Sequence, residues 1–506
     1  MSMFARPRKI LHTGNLLNNA YLHCKYLRKR GIEADCLSAA HPWIQGHPEW
    51  SECHFTDAVE HLNPNWSEID RNGFERPSWY FEAAEREIPN VADKIALEIG
   101  WSACLVRQSY KLDVLRQELF EDIIKFSGGL DFYHILKRLG FVDLAARFAK
   151  YGNLVSHSSS RTAELQPLFD SAFPERENTL SHEDILSWIS RTLMQEQLNR
   201  MYSVVQGYSL EPILSLLARP KRPYVCYENG TMRAFPFEET GQGRLLALSY
   251  KQADKVIITN PDCIDAARRL GLDNTVFIPH LIDDDKFRPS ETALRTQLEN
   301  ETGCNFIVVA PARHDWNTFS EGLKGTMNKG NDILIRGLAS AFAAYPEIKP
   351  LVFFFEWGQE VEQSKELIEE CGLTDRVRWE PMRSKPVIKD LIQAADLVVD
   401  QFNAHHGSFG ATALEAMACE KPVMLNFVAE NHRWCFPEMP PFLNASDPES
   451  VKGHLLELMR DKELGRKIGR KSLEWYRAYN SSELVIDRHV DIYKEIWDKN
   501  GWTWPY

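Results

Sequence analysis

Residues 400–425 read DQFNAHHGSFGATALEAMACEKPVML, the most informative local pattern in the chain. A short apolar strand ends at Asp400-Gln401-Phe402, a loop holding Gly407 and Gly410 follows, and a helix starts near Ala411 or Thr412. The helix stops before Lys421-Pro422, where the next strand begins. Strand, turn, helix and strand in that order build a parallel sheet with helices on its faces. Glycines ahead of a helix let backbone N–H groups approach an anion, and the helix dipole favours negative charge there. The loop therefore suits a diphosphate, and Glu415, about one turn into the helix, is placed to accept two hydrogen bonds from a ribose diol. The same residues also read as a plain strand–helix turn with Glu415 merely matched to the dipole.

Working outward, strand signals recur at Phe306–Ala310, Leu351–Phe355, Val377–Trp379, Leu397–Asp400 and Val423–Phe427. One intervening helix carries Leu334, Leu338, Ala341 and Phe342 on a single face. An earlier unit of the same kind opens with Ile10-Leu11-His12, a polar turn Thr13-Gly14-Asn15, a helix, and a strand near Ile32–Ser38. It resumes with strands at Tyr202–Gln206, Tyr224–Tyr227 and Lys255–Thr259, followed by helix candidates Leu210–Leu217, Leu245–Gln252 and Asp262–Leu270. Between them, residues 55–200 read as successive long helices, with Leu112, Leu115, Leu119 and Ile123 as one stripe and Ser156–Arg161 as an interrupting polar loop. Val276–Arg288 is a strand running into an acidic connector, where Asp283-Asp284-Asp285 reads as an exposed turn rather than a metal site. Residues 289–301 are a linker or its flanking helix, and the tail near Glu483–Trp497 is amphipathic. The expected organisation is residues 1–288, 289–482 and a final helix, 483–506, crossing back to the first domain. In such doubly wound sheets ligands bind outside the carboxyl ends of the strands, and the chemistry is expected there.

A chain of 506 residues calls for two cores. With 59 Lys+Arg against 71 Asp+Glu, the net charge of −12 argues against a whole-surface grip on nucleic acid or anionic membrane. It leaves room for a local basic patch and for peripheral membrane contact. Ten cysteines stand singly, without zinc spacing, as expected of reduced thiols in a reducing compartment. No apolar run approaches the ~18 residues of a membrane span, and the expected location is cytoplasmic.

The string Phe409-Gly410-Ala411-Thr412-Ala413-Leu414-Glu415-Ala416-Met417-Ala418, followed by Lys421-Pro422-Val423, resembles the donor-site signature of the family 4 retaining glycosyltransferases. It looks like the second half of their E-x7-E motif. The resemblance runs through the C-terminal half and back to about Tyr202, leaving residues 55–200 uncovered. It implies a GT-B fold: α/β, two Rossmann-like doubly wound domains facing a cleft, here with a helical insertion in the first domain. Glu415 matches the glutamate that holds the ribose. Arg313 and the Lys329-Gly330 pair match the residues that bind the donor phosphates, with Lys324 a rival for the lysine role and Asp315–Met327 as an inserted loop.

The resemblance also places the backbone of Gly407, Ser408, Phe409, Gly410, Ala411 and Thr412 at the phosphates, and Met382 and Arg383 at the base. Gly14, with Asn15, Asn18 and Asn19, resembles the glycine-containing loop that faces the donor phosphate, although asparagines in a tight turn also serve as caps. Trp434–Asn444 would form a wall of the donor pocket. The family's first glutamate falls on Gly407, flanked by His405, His406 and Ser408. Either histidine takes over that sugar contact, or the sugar is held differently. Glu420 stands where a glycine is usual. Glu228, in Tyr227–Arg233, reads either as a catalytic group reaching the sugar or acceptor or as a loop cap.

The expected function is a retaining, metal-independent transfer from a nucleotide-sugar donor, used as substrate without a cofactor, to a glycan, lipid-linked or small-molecule hydroxyl acceptor, with no nucleic-acid partner. A nucleotide-sugar epimerase and a degenerate, scaffolding transferase remain alternatives.

Overall fold

The computed structural model describes residues 9–39, 42–55, 59–60, 62–83, 91, 95, 142–317, 328–402 and 407–506, with 142–153 as helical backbone alone. Strands β1 (Ile10–Thr13), β2 (Ala34–Ser38), β3 (Tyr80–Glu82), β4 (Val204–Tyr208), β5 (Tyr224–Tyr227), β6 (Lys255–Ile258) and β7 (Thr275–Phe277) form one parallel sheet, ordered β3-β2-β1-β4-β5-β6-β7. A second parallel sheet holds β8 (Phe306–Ala310), β9 (Pro350–Phe355), β10 (Val377–Glu380), β11 (Leu397–Val399), β12 (Val423–Leu425) and β13 (Leu443–Asn444), ordered β10-β9-β8-β11-β12-β13. Each sheet reverses direction once, between β1 and β4 in the first and between β8 and β11 in the second.

The first sheet is accompanied by α1 (Asn19–Lys29), α2 (Pro48–Glu52), α3 (Val142–Ala172), α4 (His182–Asn199), α5 (Pro212–Leu217), α6 (Gly241–Gln252) and α7 (Ile264–Arg269). The second carries α8 (Leu294–Thr302), α9 (Asn331–Ala344), α10 (Val361–Glu370), α11 (Lys385–Ala394), α12 (Ala411–Ala418), α13 (Pro448–Arg460) and α14 (Lys462–Tyr479), and α15 (Ser482–Lys499) follows. Successive strand residues serve opposite faces. Leu11 and Val205 pack towards α3–α6, whereas Ile10 and Val204 pack with α1 and with Val485, Tyr493 and Trp497 of α15. The last helix of the chain thus completes the first core. In the second sheet, Ile307 and Val309 face α11 and α12, and Phe306 and Val308 face α9 and α13.

Three expectations are corrected. Ser156–Arg161 is no loop: α3 runs through it, because tertiary partners satisfy its polar side chains. Ser158 donates to the His182 carbonyl at 2.7 Å, and Arg161 reaches the Leu217 carbonyl and Glu196. The stretch after residue 55 is not uniformly helical, since Tyr80–Glu82 pairs with β2 as the sheet's edge strand. The Leu112–Ile123 stripe lies outside the described residues. Finally, Asp283-Asp284-Asp285 is no exposed turn. Asp283, 4% exposed, bonds Lys25 and Lys286 at 2.8 Å each and accepts from Tyr26 Oη. Asp284 accepts from Tyr476 Oη and the Ser482 amide, and Asp285 pairs with Lys29. Burial alone would raise the Asp283 carboxyl, but Lys286 and Lys25 outweigh it and hold the group well below its usual range.

Under α15 lies a buried polar cluster. His12 Nδ1 meets Tyr208 Oη at 2.8 Å, Tyr208 Oη meets His23 Nδ1 at 3.0 Å, and Tyr493 Oη donates to Gln206 at 2.7 Å. His489 lies 4.4 Å from His23, ring to ring. Burial, reinforced by His489, pushes His12 down to about 3, and burial lowers His489 to about 4. Burial, with Arg233 nearby, likewise lowers His280 to about 4, and His23 falls well below its usual value. The folded state therefore refuses protons that the unfolded chain takes up below pH ~6.5. Stability is expected to be full above pH ~7.5 and to fall between pH 6.5 and 5, with a calorimetric slope approaching about four protons. A stability curve flat across that window would contradict the neutral cluster.

Candidate active site

The reversal of the second sheet opens a crevice between the loops leaving β8 and β11. Arg313 follows β8 by three residues, and its Nε pairs with Asp315 Oδ2 at 2.7 Å. Asp315 is itself fixed, with Oδ1 accepting from the Gln359 amide at 2.8 Å. Lys329 precedes α9; its carbonyl accepts from the Phe402 amide at 2.9 Å, which ties the two loops together. Its ammonium donates to Gln401 Oε1, and Gln401 Nε2 donates to the Ser408 carbonyl at 3.0 Å. Burial, then the Arg313 guanidinium, outweigh the pull of Asp400 and push Lys329 down to about 8. Arg313 and Lys329 thus form a partly desolvated cationic pair at the strand ends. Lys324 lies outside the described residues.

Across the crevice, Gly407–Gly410 leads into α12. Gly407 has φ +49°, and a Cβ there would lie 2.7 Å from Val428 Cβ, while its carbonyl accepts from the Val428 amide at 2.9 Å. The backbone at the position of the family's first glutamate is therefore left-handed and pressed against a neighbour, which explains the glycine. Ser408 is buried, with Oγ 3.3 Å from His432 Nε2. Phe409 points into the core among Phe427, His432 and Phe442, and anchors the loop by packing. The Gly410 amide donates to Asp400 Oδ2 at 2.8 Å. Among the described residues no side chain caps the first turn of α12, in which Ala411 is exposed and Thr412 half-buried. Glu420, where a glycine is usual, holds φ +61°, the left-handed turn that ends the helix. His405 and His406 lie outside the described residues.

Glu415 is 4% exposed and its Oε1 accepts from Lys385 Nζ. Burial raises its carboxyl while Lys385 opposes the shift. Met382 and Arg383 lie in a contact between the two halves. Met382 packs with Ile44, Trp50, Phe55 and Trp66, and the Arg383 carbonyl accepts from Trp50 Nε1 at 2.9 Å while its guanidinium pairs with Glu380. Trp434, expected in a pocket wall, donates to the Pro261 carbonyl at 3.1 Å and stacks edge-on against Phe277.

From the first sheet, Gly14 ends β1 with φ +83°, and a Cβ there would lie 2.7 Å from Glu211 Cγ beyond β4. The asparagines that follow act as stitches: Asn15 donates to Asn18 and the Gly46 carbonyl, Asn18 to the His47 carbonyl and Ser51. A cavity of about 240 Å³ opens at these strand ends, lined by Leu37, Ala39, Ala83 and Leu214 with Arg191, Gln195 and Glu211. Arg191 pairs with Glu211 at 2.8 Å, and the buried Gln195 Nε2 has no partner among the described residues. Of the two readings of Glu228, the loop cap is the one with contacts in the structure. It is fully buried and its Oε1 accepts from the Gly230 and Met232 amides beneath the loop. Arg233, on that loop, grips Asp262 through two bonds of 2.6 and 2.8 Å and is close enough to Lys329 to lower it further.

Residues 328–475 match the family model of the glycosyl transferases group 1. The chain resembles that family, and its architecture is GT-B. A D-inositol 3-phosphate glycosyltransferase of Xylanimonas cellulosilytica is 29% identical over 176 residues, 33% of this chain and 39% of that relative. The chain thus spans about two fifths of that relative's length. The lipopolysaccharide core biosynthesis glycosyltransferase LpsD of Rhizobium meliloti is 22% identical over 60% of this chain and 80% of its own. The solved sucrose-phosphate synthase of Thermosynechococcus elongatus superposes with a TM-score of 0.51 at 15% identity, over 97% of this chain and all of that one, a likeness of fold.

Within this GT-B frame, the sequence assigns no role to Asp400 and Gln401, and nothing in it points to Lys385. Asp400 and Gln401 follow a buried strand directly, at its carboxyl end. Lys385 occupies the first position of a helix, where the dipole disfavours a cation, so a helix-stability argument alone would not place it there.

Gly407→Ala is expected to lower stability by about 2 kcal/mol through the left-handed backbone and the clash with Val428. Val428→Ala in the same chain should recover part of that loss in urea melts. Because Lys329 loses its charge as pH rises through about 8, affinity for a nucleoside diphosphate should fall roughly tenfold from pH 7.5 to 9.5 by calorimetry, equivalent to one charged hydrogen bond. Lys329→Arg should flatten that profile.

Proposed function

We propose that the chain transfers a glycosyl group from a nucleotide-sugar donor to a hydroxyl acceptor with retention of configuration. The observation that supports this best is the convergence of Arg313, Lys329 and the uncapped first turn of α12, with Glu415, on the reversal of the second sheet. On this reading the two cations and the α12 amides offset the charge that grows on the departing diphosphate. Glu415 accepts from the ribose hydroxyls. Fixed cations of this kind make a bound metal unnecessary for leaving-group stabilisation.

The acceptor enters from the first domain. The cavity between β2, β4 and α4 combines an apolar floor with an amide and an ion pair, groups suited to a neutral hydroxylated molecule. With Glu228 buried as a cap, a front-face course, in which the leaving phosphate oxygen takes the acceptor proton, needs no side-chain nucleophile. The matched relatives are named as glycosyltransferases, which agrees with this reading.

The test is thermal stabilisation by a panel of nucleoside diphosphates and nucleotide sugars, followed by donor turnover. Glu415→Ala is expected to weaken nucleotide binding by about 2 kcal/mol, roughly thirtyfold, the worth of a charged hydrogen bond to the ribose. A well-folded wild-type chain that binds no nucleotide, or a mutant that binds as tightly as wild type, would overturn the assignment. Tight binding without turnover would point to a scaffolding subunit.

A further inference from the structure

Lys385 sits where neither helix propensity nor solvent calls for a cation. It occupies the first position of α11, against the dipole, with its side chain 16% exposed. Three parts of the chain enclose its ammonium. Trp50 of α2, from the first domain, presents its ring 4.8 Å from Nζ, and Phe287 of the connector stands at 5.8 Å. Glu415 of α12 accepts from it directly. The Trp50 ring is fixed in turn, since its Nε1 donates to the Arg383 carbonyl two residues before Lys385. Cation–π contacts of a desolvated ammonium and a buried ion pair together fix one orientation of both side chains.

Resting on the reading of Glu415 as the ribose acceptor, we propose that Lys385 is a positioning residue for the donor nucleotide: held between the Trp50 and Phe287 rings, it keeps the Glu415 carboxylate ionised and aimed at the ribose diol. The need follows from the surroundings of Glu415. Asp400, at the end of β11, and Asp283, in the connector, both disfavour a further negative charge there, and Cys419 lies one turn along the same helix. From α14, Tyr476 lies near Cys419, and its hydroxyl is committed to Asp284. Lys385 supplies the balancing charge next to the carboxylate. Without it, nothing beside the carboxyl opposes the upward pull of burial, and the protonated form so favoured offers one acceptor oxygen fewer to the diol.

The experiment measures affinity by calorimetry from pH 6 to 7.5, using whichever of UDP, GDP or ADP the wild-type chain binds. The variants are Lys385→Met, Lys385→Arg and Glu415→Gln. Wild type and Lys385→Arg are expected to share one profile over this range, in which the nucleotide's own terminal phosphate titrates at about pH 6 and Lys329 stays largely charged. Relative to wild type at the same pH, Lys385→Met is expected to bind more weakly at pH 6 than at pH 7.5, as Glu415 ionises. Should Lys385→Met fail to fold, Lys385→Gln removes the charge while keeping a donor, and the same slope is expected. A neutral variant with the wild-type profile, alongside a weakened Glu415→Gln, overturns the role of Lys385 and leaves the ribose assignment standing. Wild-type affinity in Glu415→Gln, or no nucleotide bound by the wild-type chain, overturns both.

Discussion

The central strands of the second sheet, β8, β9, β11 and β12, are buried from end to end, and none of their side chains reaches solvent from within the sheet. Parallel strands covered by helices on both faces leave open only their ends. At the carboxyl end, where neighbouring connections diverge, the backbone amides and polar side chains of several loops face one crevice. The described candidate site residues of the second domain are gathered under that constraint. Arg313 leaves β8, Asp400 and Gln401 leave β11, and α12 starts within the same opening.

The crevice is held by small polar ties rather than by packing alone. Lys329, Gln401 and the Ser408 carbonyl form one hydrogen-bonded line between the two loops, and Asp400 secures the Gly410 amide. These ties set cations and the helix terminus in advance of any ligand, which is how fixed charge stabilises charge that develops later. Phe409 does the opposite service. Sunk among Phe427, His432 and Phe442, it anchors the glycine loop so that its backbone, not its side chain, meets the opening.

The connector supplies the second requirement, a defined relation between the two halves. Asp283 lies between Lys25 and Lys286, and Asp284 reaches Tyr476 and the start of α15. The last helix then returns to the first core through Val485, Tyr493 and Trp497. Trp50 and Lys385 add a contact next to Glu415 itself, so an interaction between halves lies beside the proposed nucleotide site.

The sequence alone determined the two parallel sheets, because apolar runs of strand length alternating with helical stripes have few other folds. It determined α12 and the place of Glu415 as well, since glycines, a helix start and a strand-opening Lys-Pro follow one another within a single unit. Arg313 and Lys329 are singled out by the resemblance to the family 4 glycosyltransferases. Only the tertiary structure decided what the polar side chains do. Ser158 and Arg161 look like a loop until His182, Leu217 and Glu196 arrive from elsewhere in the chain. The acidic run at Asp283 looks exposed until Lys25 comes to it from 258 residues away. Glu228 reads two ways until the turn places its amides on the carboxylate, and nothing local in the sequence announces that Trp50 and Trp66 pack on the Met382 side chain. Apolar periodicity is a local property that a sequence displays, whereas the charge state and purpose of a polar group depend on the partner that long-range folding brings to it.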